Sequence, residues 1–225
     1  MALAKWDMEA VAVILESRAA PPFHKNGFVI GCERTREAVL IDPGDEVDQL
    51  LDIVRAQKLA VKSILLTHAH VDHVTGVGRA KNALAVPVYL HRDDNVLYEA
   101  VPQQATFFGF KADRQPPIDR FYDLDETLTF GDYAIGVHHT PGHCPGGVCL
   151  AVAWAGEPTL DLFVGDTLFA GSIGRTDLPG ADHDTLMRSI TQVLLAFGDA
   201  ARVYPGHGPS TTIGQERRNN PFLRS

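Results

Sequence analysis

Cysteine is scarce: there are three in 225 residues. An odd number that small argues against a disulfide framework and fits a reducing compartment. Long apolar runs are also missing. The stretch from Ala10 to Leu15 is six residues, short for a leader and far too short to span a bilayer, and the weakly polar stretch 146–156 is glycine-rich and equally short. A cytoplasmic location without a membrane partner is the expectation. Excess positive charge is absent as well. Lys+Arg number 20 against 28 Asp+Glu, a formal net charge of −8, so the chain lacks the field that holds phosphate backbones and nucleic acid is not an expected partner. No repeat of fixed period, low-complexity tract or linker interrupts it. With 45% hydrophobic and 21% charged residues it reads as one globular domain over residues 1–225.

Histidine is the abundant exception, with ten residues, several of them clustered. Around the clusters, short β-branched apolar runs at 11–15, 28–32, 38–41, 61–66, 86–90, 133–138, 147–152, 160–164 and 202–204 predict strands. Helical spacing predicts helices over about 47–59, 73–82, 182–197 and 214–220. Residues 92–126, with Pro102, Pro116, Pro117 and Phe107-Phe108, read as a helix plus an irregular insertion. Strands and helices alternate in two stretches, 1–125 and 126–225, as two packed sheets with helices outside would require.

The informative segment is Thr67-His68-Ala69-His70-Val71-Asp72-His73, which follows a predicted strand. In extended backbone, side chains at i and i+2 point the same way about 6.6 Å apart, so His68 and His70 can converge on one cation. Asp72 and His73 come as the chain turns into a helix and face a second position. Capping of that helix is the ordinary use of an Asp there, but it leaves three histidines within six residues unexplained. Three more donors sit in glycine- or proline-rich turns after strands: His143 in Pro141-Gly142-His143, Asp166 in Gly165-Asp166-Thr167 and His207 in Pro205-Gly206-His207-Gly208.

Seven donors exceed the three that a single catalytic zinc takes from protein. If Asp166 is shared, His68, His70 and His143 serve one divalent ion and Asp72, His73 and His207 a second, the two lying about 3.5–4 Å apart. All seven are nitrogen or oxygen donors, which suits zinc, iron or manganese; zinc is the first expectation.

These residues resemble the metallo-β-lactamase-fold hydrolases. The resemblance covers nearly the whole chain, with Asp42-Pro43-Gly44 as a supporting turn. The segments Gly165-Asp166-Thr167-Leu168-Phe169, Gly174-Arg175-Thr176-Asp177 and Pro205-Gly206-His207-Gly208-Pro209, with the ending from Thr212 to Leu223, narrow it to the compact glyoxalase II (hydroxyacylglutathione hydrolase) type. It implies an α/β fold, an αββα four-layer sandwich with a binuclear site at the edge between its sheets. It implies hydrolysis of a glutathione thioester, S-(2-hydroxyacyl)glutathione, by water activated on the metals, with Asp72 both ligand and orienting group and Arg175 a contact to glutathione. Larger glyoxalase II enzymes add a C-terminal helical domain; 18 residues follow His207 here, so that domain is expected to be missing. Three rivals stay open: a same-fold persulfide dioxygenase with one iron, a β-lactamase or lactonase, and a metal-binding domain without activity. The oligomeric state is left open.

Other residues have plainer readings. Arg175 has an alternative as a brace to Asp177 or Asp182. Cys32 and Cys149 read as packed residues, as does Cys144, with a metal-ligand or redox role as its alternative; His138 and His139 read as strand-end residues, with support of the metal ligands from behind as the alternative. His24, His91 and His183 match no ligand spacing. Phe107, Phe108 and Phe110 read as packing under the insertion, with a wall of the substrate mouth as the alternative, and Arg217-Arg218 as a solvated helix face.

Overall fold

A computed structural model describes residues 13–124, 126–154 and 160–224. The first sheet runs β1 (Val13–Ala20), β2 (Lys25–Cys32), β3 (Glu37–Ile41), β4 (Ala60–Leu65), β5 (Val88–Leu90) and β6 (Arg120–Phe121), in that spatial order. The β1–β2–β3 pairs are antiparallel; β3 to β6 are parallel. Parallel neighbours need crossovers, supplied by α1 (Val47–Ala56) between β3 and β4, by α2 (Val71–Val74) and α3 (Val77–Leu84) between β4 and β5, and by α4 (Asn95–Glu99) and α5 (Val101–Phe107) before β6.

The second sheet begins with β7 (Leu128–Phe130), β8 (Tyr133–His139), β9 (Val148–Trp154) and β10 (Asp161–Gly165). After the hairpin β11 (Leu168–Phe169) and β12 (Ser172–Ile173), and the helix α6 (His183–Arg188), it adds β13 (Arg202–Pro205) and β14 (Thr211–Thr212); α7 (Ile213–Asn219) follows. Its spatial order is β14-β13-β10-β9-β8-β7. The expected division near residue 125 thus separates the two sheets.

Alternation along the strands builds three apolar layers. Phe28, Ile30, Val39, Ile41 and Leu65 of the first sheet meet Val148, Leu150, Val152 and Phe163 of the second. Their neighbours Val29, Leu40, Ile64 and Leu66 pack on α1 and α3, and Cys149, Ala151, Leu162 and Val164 pack under α6 and the helical turns after it. Strands buried on both faces read as unbroken apolar runs, and the result is the αββα sandwich.

Three expected elements differ. The first strand is longer, reaching Ala20 through the polar Glu16, Ser17 and Arg18, because it is an edge with one side open; residues 11 and 12 lie outside the described residues. The helix expected over 73–82 is two helices, broken at Gly76. Its N–H donates to the Pro43 carbonyl at 3.0 Å, and a Cβ there would collide with Gly44 and with Val47. The helix expected over 182–197 is α-helical only to Arg188; a wide π turn over Ser189–Val193 and a tight turn over Leu194–Phe197 complete it. Among the described residues no helix is long and apolar enough to cross a membrane.

The loop joining β3 to α1 is held by a lysine without solvent contact. Lys25 Nζ donates to Glu46 Oε1 at 2.7 Å and to the Asp42 carbonyl, and both side chains are 2% exposed or less. Glu46 Oε1 also accepts the Gly44 N–H at 2.9 Å. Removing one partner of such a pair strands the other charge in a dry interior. Glu46→Ala is therefore expected to cost about 3–5 kcal/mol of unfolding free energy in a denaturant titration; a loss below about 1 kcal/mol would mean that the pair does not hold the loop.

Candidate metal centre

The centre begins where β4 ends. Thr67 leaves the strand and accepts the Val148 N–H from the second sheet at 2.9 Å, which fixes the path of the next residues. His70 is extended (φ −69°, ψ 150°) and α2 starts after it, so His68 and His70 point together while Asp72 and His73 turn away. The buried carboxylate of Asp42 secures both halves of this segment. It accepts the Thr67 N–H at 2.7 Å, the Thr67 hydroxyl at 2.5 Å and His73 Nδ1–H at 2.9 Å.

These bonds decide which ring nitrogens face inward. With Nδ1–H of His73 given to Asp42, Nε2 is the nitrogen turned towards the other donors. His68 Nδ1 lies 3.1 Å from the Thr67 hydroxyl oxygen, whose proton goes to Asp42, so His68 also presents Nε2. His143 Nδ1 donates to the Arg175 carbonyl at 2.9 Å and presents Nε2. Partners of this kind orient metal-binding imidazoles.

The remaining donors arrive from the second sheet. His143 lies between β8 and β9, Asp166 directly after β10 and His207 directly after β13. Gly206 carries no side chain where a Cβ would run into Asp166 and come within 2.6 Å of the His73 ring. The structure brings all seven predicted donors together. Potential ligand atoms of His68, His70 and His143 lie within 4.8 Å of one another, as do those of Asp72, His73 and His207. Asp166 sits between the two groups, with Oδ1 3.4 Å from His73 Nε2 and Oδ2 3.6 Å from His143 Nε2 and 3.5 Å from His207 Nε2.

Three atoms fit this set to cations. His68 Nε2, His73 Nε2 and Asp166 Oδ1 are buried without a hydrogen-bond partner, although a buried polar atom normally has one. Each points into its cluster, where a cation would satisfy it. The charges agree. Burial, then the surrounding imidazoles, push His68 well below the ordinary value, and burial with His143 takes His70 down to about 3. Burial also lowers His73, but Asp72 and Asp166 outweigh it and carry the ring up to about 10, so its Nε2 holds a proton until a cation takes that place. Burial raises Asp72 and Asp166, yet His73 and its neighbours hold both below the usual carboxylate range. Ionised Asp72 and Asp166 beside His68 and His70, which burial holds uncharged, call for a positive charge that a divalent ion supplies.

Several supporting residues escaped the sequence reading. Asp94 is fully buried and its carboxylate accepts the Ala69 N–H at 2.9 Å and the Gly146 N–H at 2.6 Å. It thereby joins the loop of His68 and His70 to the loop of His143. Burial raises its pKa against the pull of those N–H groups. Its partners are backbone groups, which leave no residue pattern to find. Asp42 was legible only as part of a turn. His91, which matches no ligand spacing, and His139, at a strand end, stack at 4.2 Å, and with Asp93 form a further cluster of nitrogen and oxygen atoms. His138 instead meets Phe197 edge-on.

Arg175 binds Asp177 through two bonds of 2.6 and 2.7 Å, while Asp182 caps α6. Cys144 is packed beside Asp94 and burial raises its thiol; all three cysteines are free. Arg217 and Arg218 are exposed but pair with Asp199. Phe110 packs on the first core layer, whereas Phe107 and Phe108 line a cavity of about 460 Å³. His70, Asp72, His143, Asp166 and His207 also line it, together with Arg175.

Comparison with known proteins adds relatives. Residues 20–207 match the family described as the metallo-beta-lactamase superfamily. Hydroxyacylglutathione hydrolase GloC of Haemophilus influenzae is 38% identical over 193 residues, 84% of this chain and 89% of that protein. Among solved structures, BLEG-1, described as a B3 metallo-beta-lactamase, superposes with a TM-score of 0.85 at 36% identity over 94% of this chain and 100% of its own. TTHA1623 in a di-iron-bound form gives 0.81 at 40% identity, over 92% and 100%.

Asp94→Asn keeps the size of the side chain but replaces an acceptor with a donor facing one N–H. Its expected effect is a 10–100-fold weaker zinc affinity, of the order seen when groups behind metal ligands are removed, read by chelator competition. The cobalt-loaded variant is expected to shift the absorption of the ion held by His68, His70 and His143. Lower thermal stability with unchanged affinity and spectrum would reduce Asp94 to a packing role.

Proposed function

Because the chain belongs to the metallo-beta-lactamase superfamily, we propose that it is a metal-dependent hydrolase acting on a thioester, with S-(2-hydroxyacyl)glutathione as the first candidate. Water and the thioester give a 2-hydroxy acid and glutathione: the water oxygen forms the new C–O bond, the C–S bond breaks, and the sulfur leaves with the electron pair and ends protonated. The observation that carries this reading is the pair of three-residue donor clusters flanking Asp166 at the floor of an open cavity. The name of the GloC relative supports the choice of substrate.

His68, His70 and His143 would hold one divalent cation and Asp72, His73 and His207 the other, with Asp166 shared. Zinc is the first candidate, and iron gains support from the di-iron form of TTHA1623. Two such ions supply Lewis acidity, lowering the pKa of a water towards about 7 and polarising the thioester carbonyl. No serine or cysteine nucleophile is needed. Asp72, with Oδ2 3.1 Å from His207 Nε2 and its carboxyl kept ionised, orients the attacking water and takes up its proton. Asp42, Thr67 and the Arg175 carbonyl keep the imidazoles in the tautomers that face inward. The Arg175 guanidinium lines the cavity, and a glutathione carboxylate would bind it by competing with Asp177. A small-molecule partner and a cytoplasmic setting, without nucleic acid or membrane, complete the proposal.

The likeness to BLEG-1 favours a β-lactam as the second reading. One experiment separates the two: metal analysis of the purified protein with thioester hydrolysis, β-lactam hydrolysis and oxygen uptake measured on the same sample. Two ions per chain and thioester cleavage are expected. Asp72→Asn is expected to lower kcat by about 10²–10⁴, the range for a positioned proton acceptor, and His70→Ala to lose one ion. β-Lactam turnover without thioester cleavage would reverse the ranking, and one iron with oxygen uptake would replace both readings.

A further inference from the structure

The cavity above the donor clusters has walls of a different character from its floor. Three separate segments supply them: Phe23 from the β1–β2 turn, Leu97, Phe107 and Phe108 from α4, α5 and the residue after α5, and Leu178 and Pro179 from the loop after Arg175. Phe23 is the pivot. Its ring meets Phe108 edge-on at 6.0 Å and Phe110 at 5.6 Å, and Phe110 is packed on the first core layer. The aromatic wall is thus braced from behind, although Phe107 is 76% exposed at the rim.

The polar groups in these walls are largely engaged elsewhere. Gln104 gives its amide to the Ala69 and Leu97 carbonyls at 3.1 and 2.8 Å and accepts the Val71 N–H at 3.0 Å. Arg175 is held by Asp177. Gln103 is the remaining wall residue with a side-chain amide. Such walls offer contact area and few hydrogen bonds, and their gain comes from covering apolar surface.

We infer that the substrate carries an apolar group of several carbons next to the scissile carbonyl, and that Phe23, Phe107, Phe108, Leu97, Leu178 and Pro179 form its subsite. The inference rests on the hydrolase reading and specifies its acyl half: a thioester, 2-hydroxylated or not, whose acyl chain carries several apolar carbons covers these walls, whereas an acetyl or lactoyl group leaves most of them bare. Each methylene taken out of water in such a site is expected to add about two- to fourfold in affinity or specificity.

Two measurements on the metal-loaded protein test this. The first is kcat/KM for acetyl, butanoyl, hexanoyl and lactoyl thioesters of glutathione and of a small thiol. The second is calorimetric binding of acetate, butanoate, hexanoate and octanoate, which requires no turnover. Hexanoyl is expected to exceed acetyl by more than about tenfold, hexanoate to bind tighter than acetate by a similar factor, and both ratios to fall several-fold in Phe107→Ser and Phe108→Ser. Phe222→Ser, an exposed phenylalanine outside the cavity, is expected to leave the ratios alone. A flat or inverted dependence on chain length overturns the subsite. So does a flat dependence accompanied by loss of a dimer in Phe107→Ser, which would assign the rim to self-association. Length-dependent carboxylate binding with no thioester cleaved would keep the subsite and remove the thioester reading.

Discussion

The placement of His73 directly, and of His68 through Thr67, depends on the carboxylate of Asp42. It is 1% exposed, and its two oxygens receive the Thr67 backbone, the Thr67 hydroxyl and the His73 ring. A buried carboxylate needs such donors to offset its desolvation. Meeting that need also orients His73 and, through Thr67, His68. The backbone around Asp42 is itself constrained. Its φ is +47°, its N–H goes to the Leu65 carbonyl at 3.1 Å, and its carbonyl accepts from Lys25. Lys25 and Glu46 are therefore part of the same device, two steps removed from the donors they help to place.

The centre divides its residues by task. Asp42 and Asp94 hold loops and rings and sit behind them; Asp72 and Asp166 are 13% and 12% exposed in their side chains and reach the cavity. The split follows from access. A carboxylate enclosed by N–H donors has no oxygen free for a ligand, while one facing several imidazoles and the cavity does. The same distinction separates the seven donors from His91, Asp93 and His139. There His139 Nε2 donates to the Pro145 carbonyl, and the two rings lie nearly parallel, at 11°. Nitrogens in parallel stacked rings do not aim at a common point.

Much of this was legible in the residues. Continuous apolar stretches such as Phe28–Cys32 mark strands buried on both faces, and the spacing of His68, His70, Asp72 and His73 marks two diverging pairs of donors. Contacts made by backbone atoms were not legible. Asp94 holds two N–H groups, Arg175 contributes a carbonyl to His143, and Gly76 breaks a helix because the 43–44 backbone passes beside it; none of these leaves a periodic trace. The direction of Phe107 and Phe108 was equally hidden, since burial under a loop and exposure at a cavity rim use the same side chain. The longer first strand shows the converse, in which pairing with β2 carries a polar segment that apolar patterning would have ended.

The donors come from both halves of the sandwich: His68, His70, Asp72 and His73 follow a strand of the first sheet, whereas His143, Asp166 and His207 follow strands of the second. Neither cluster is complete within one half. Cations held there would act as rivets across the seam, and the free energy of loading them would add to the cohesion of the halves as RT ln(1 + [L]/Kd). Acquisition of metal and maturation of the tertiary structure are then one thermodynamic process, and scarcity of the ion would be felt first as a loosening of the join between the sheets.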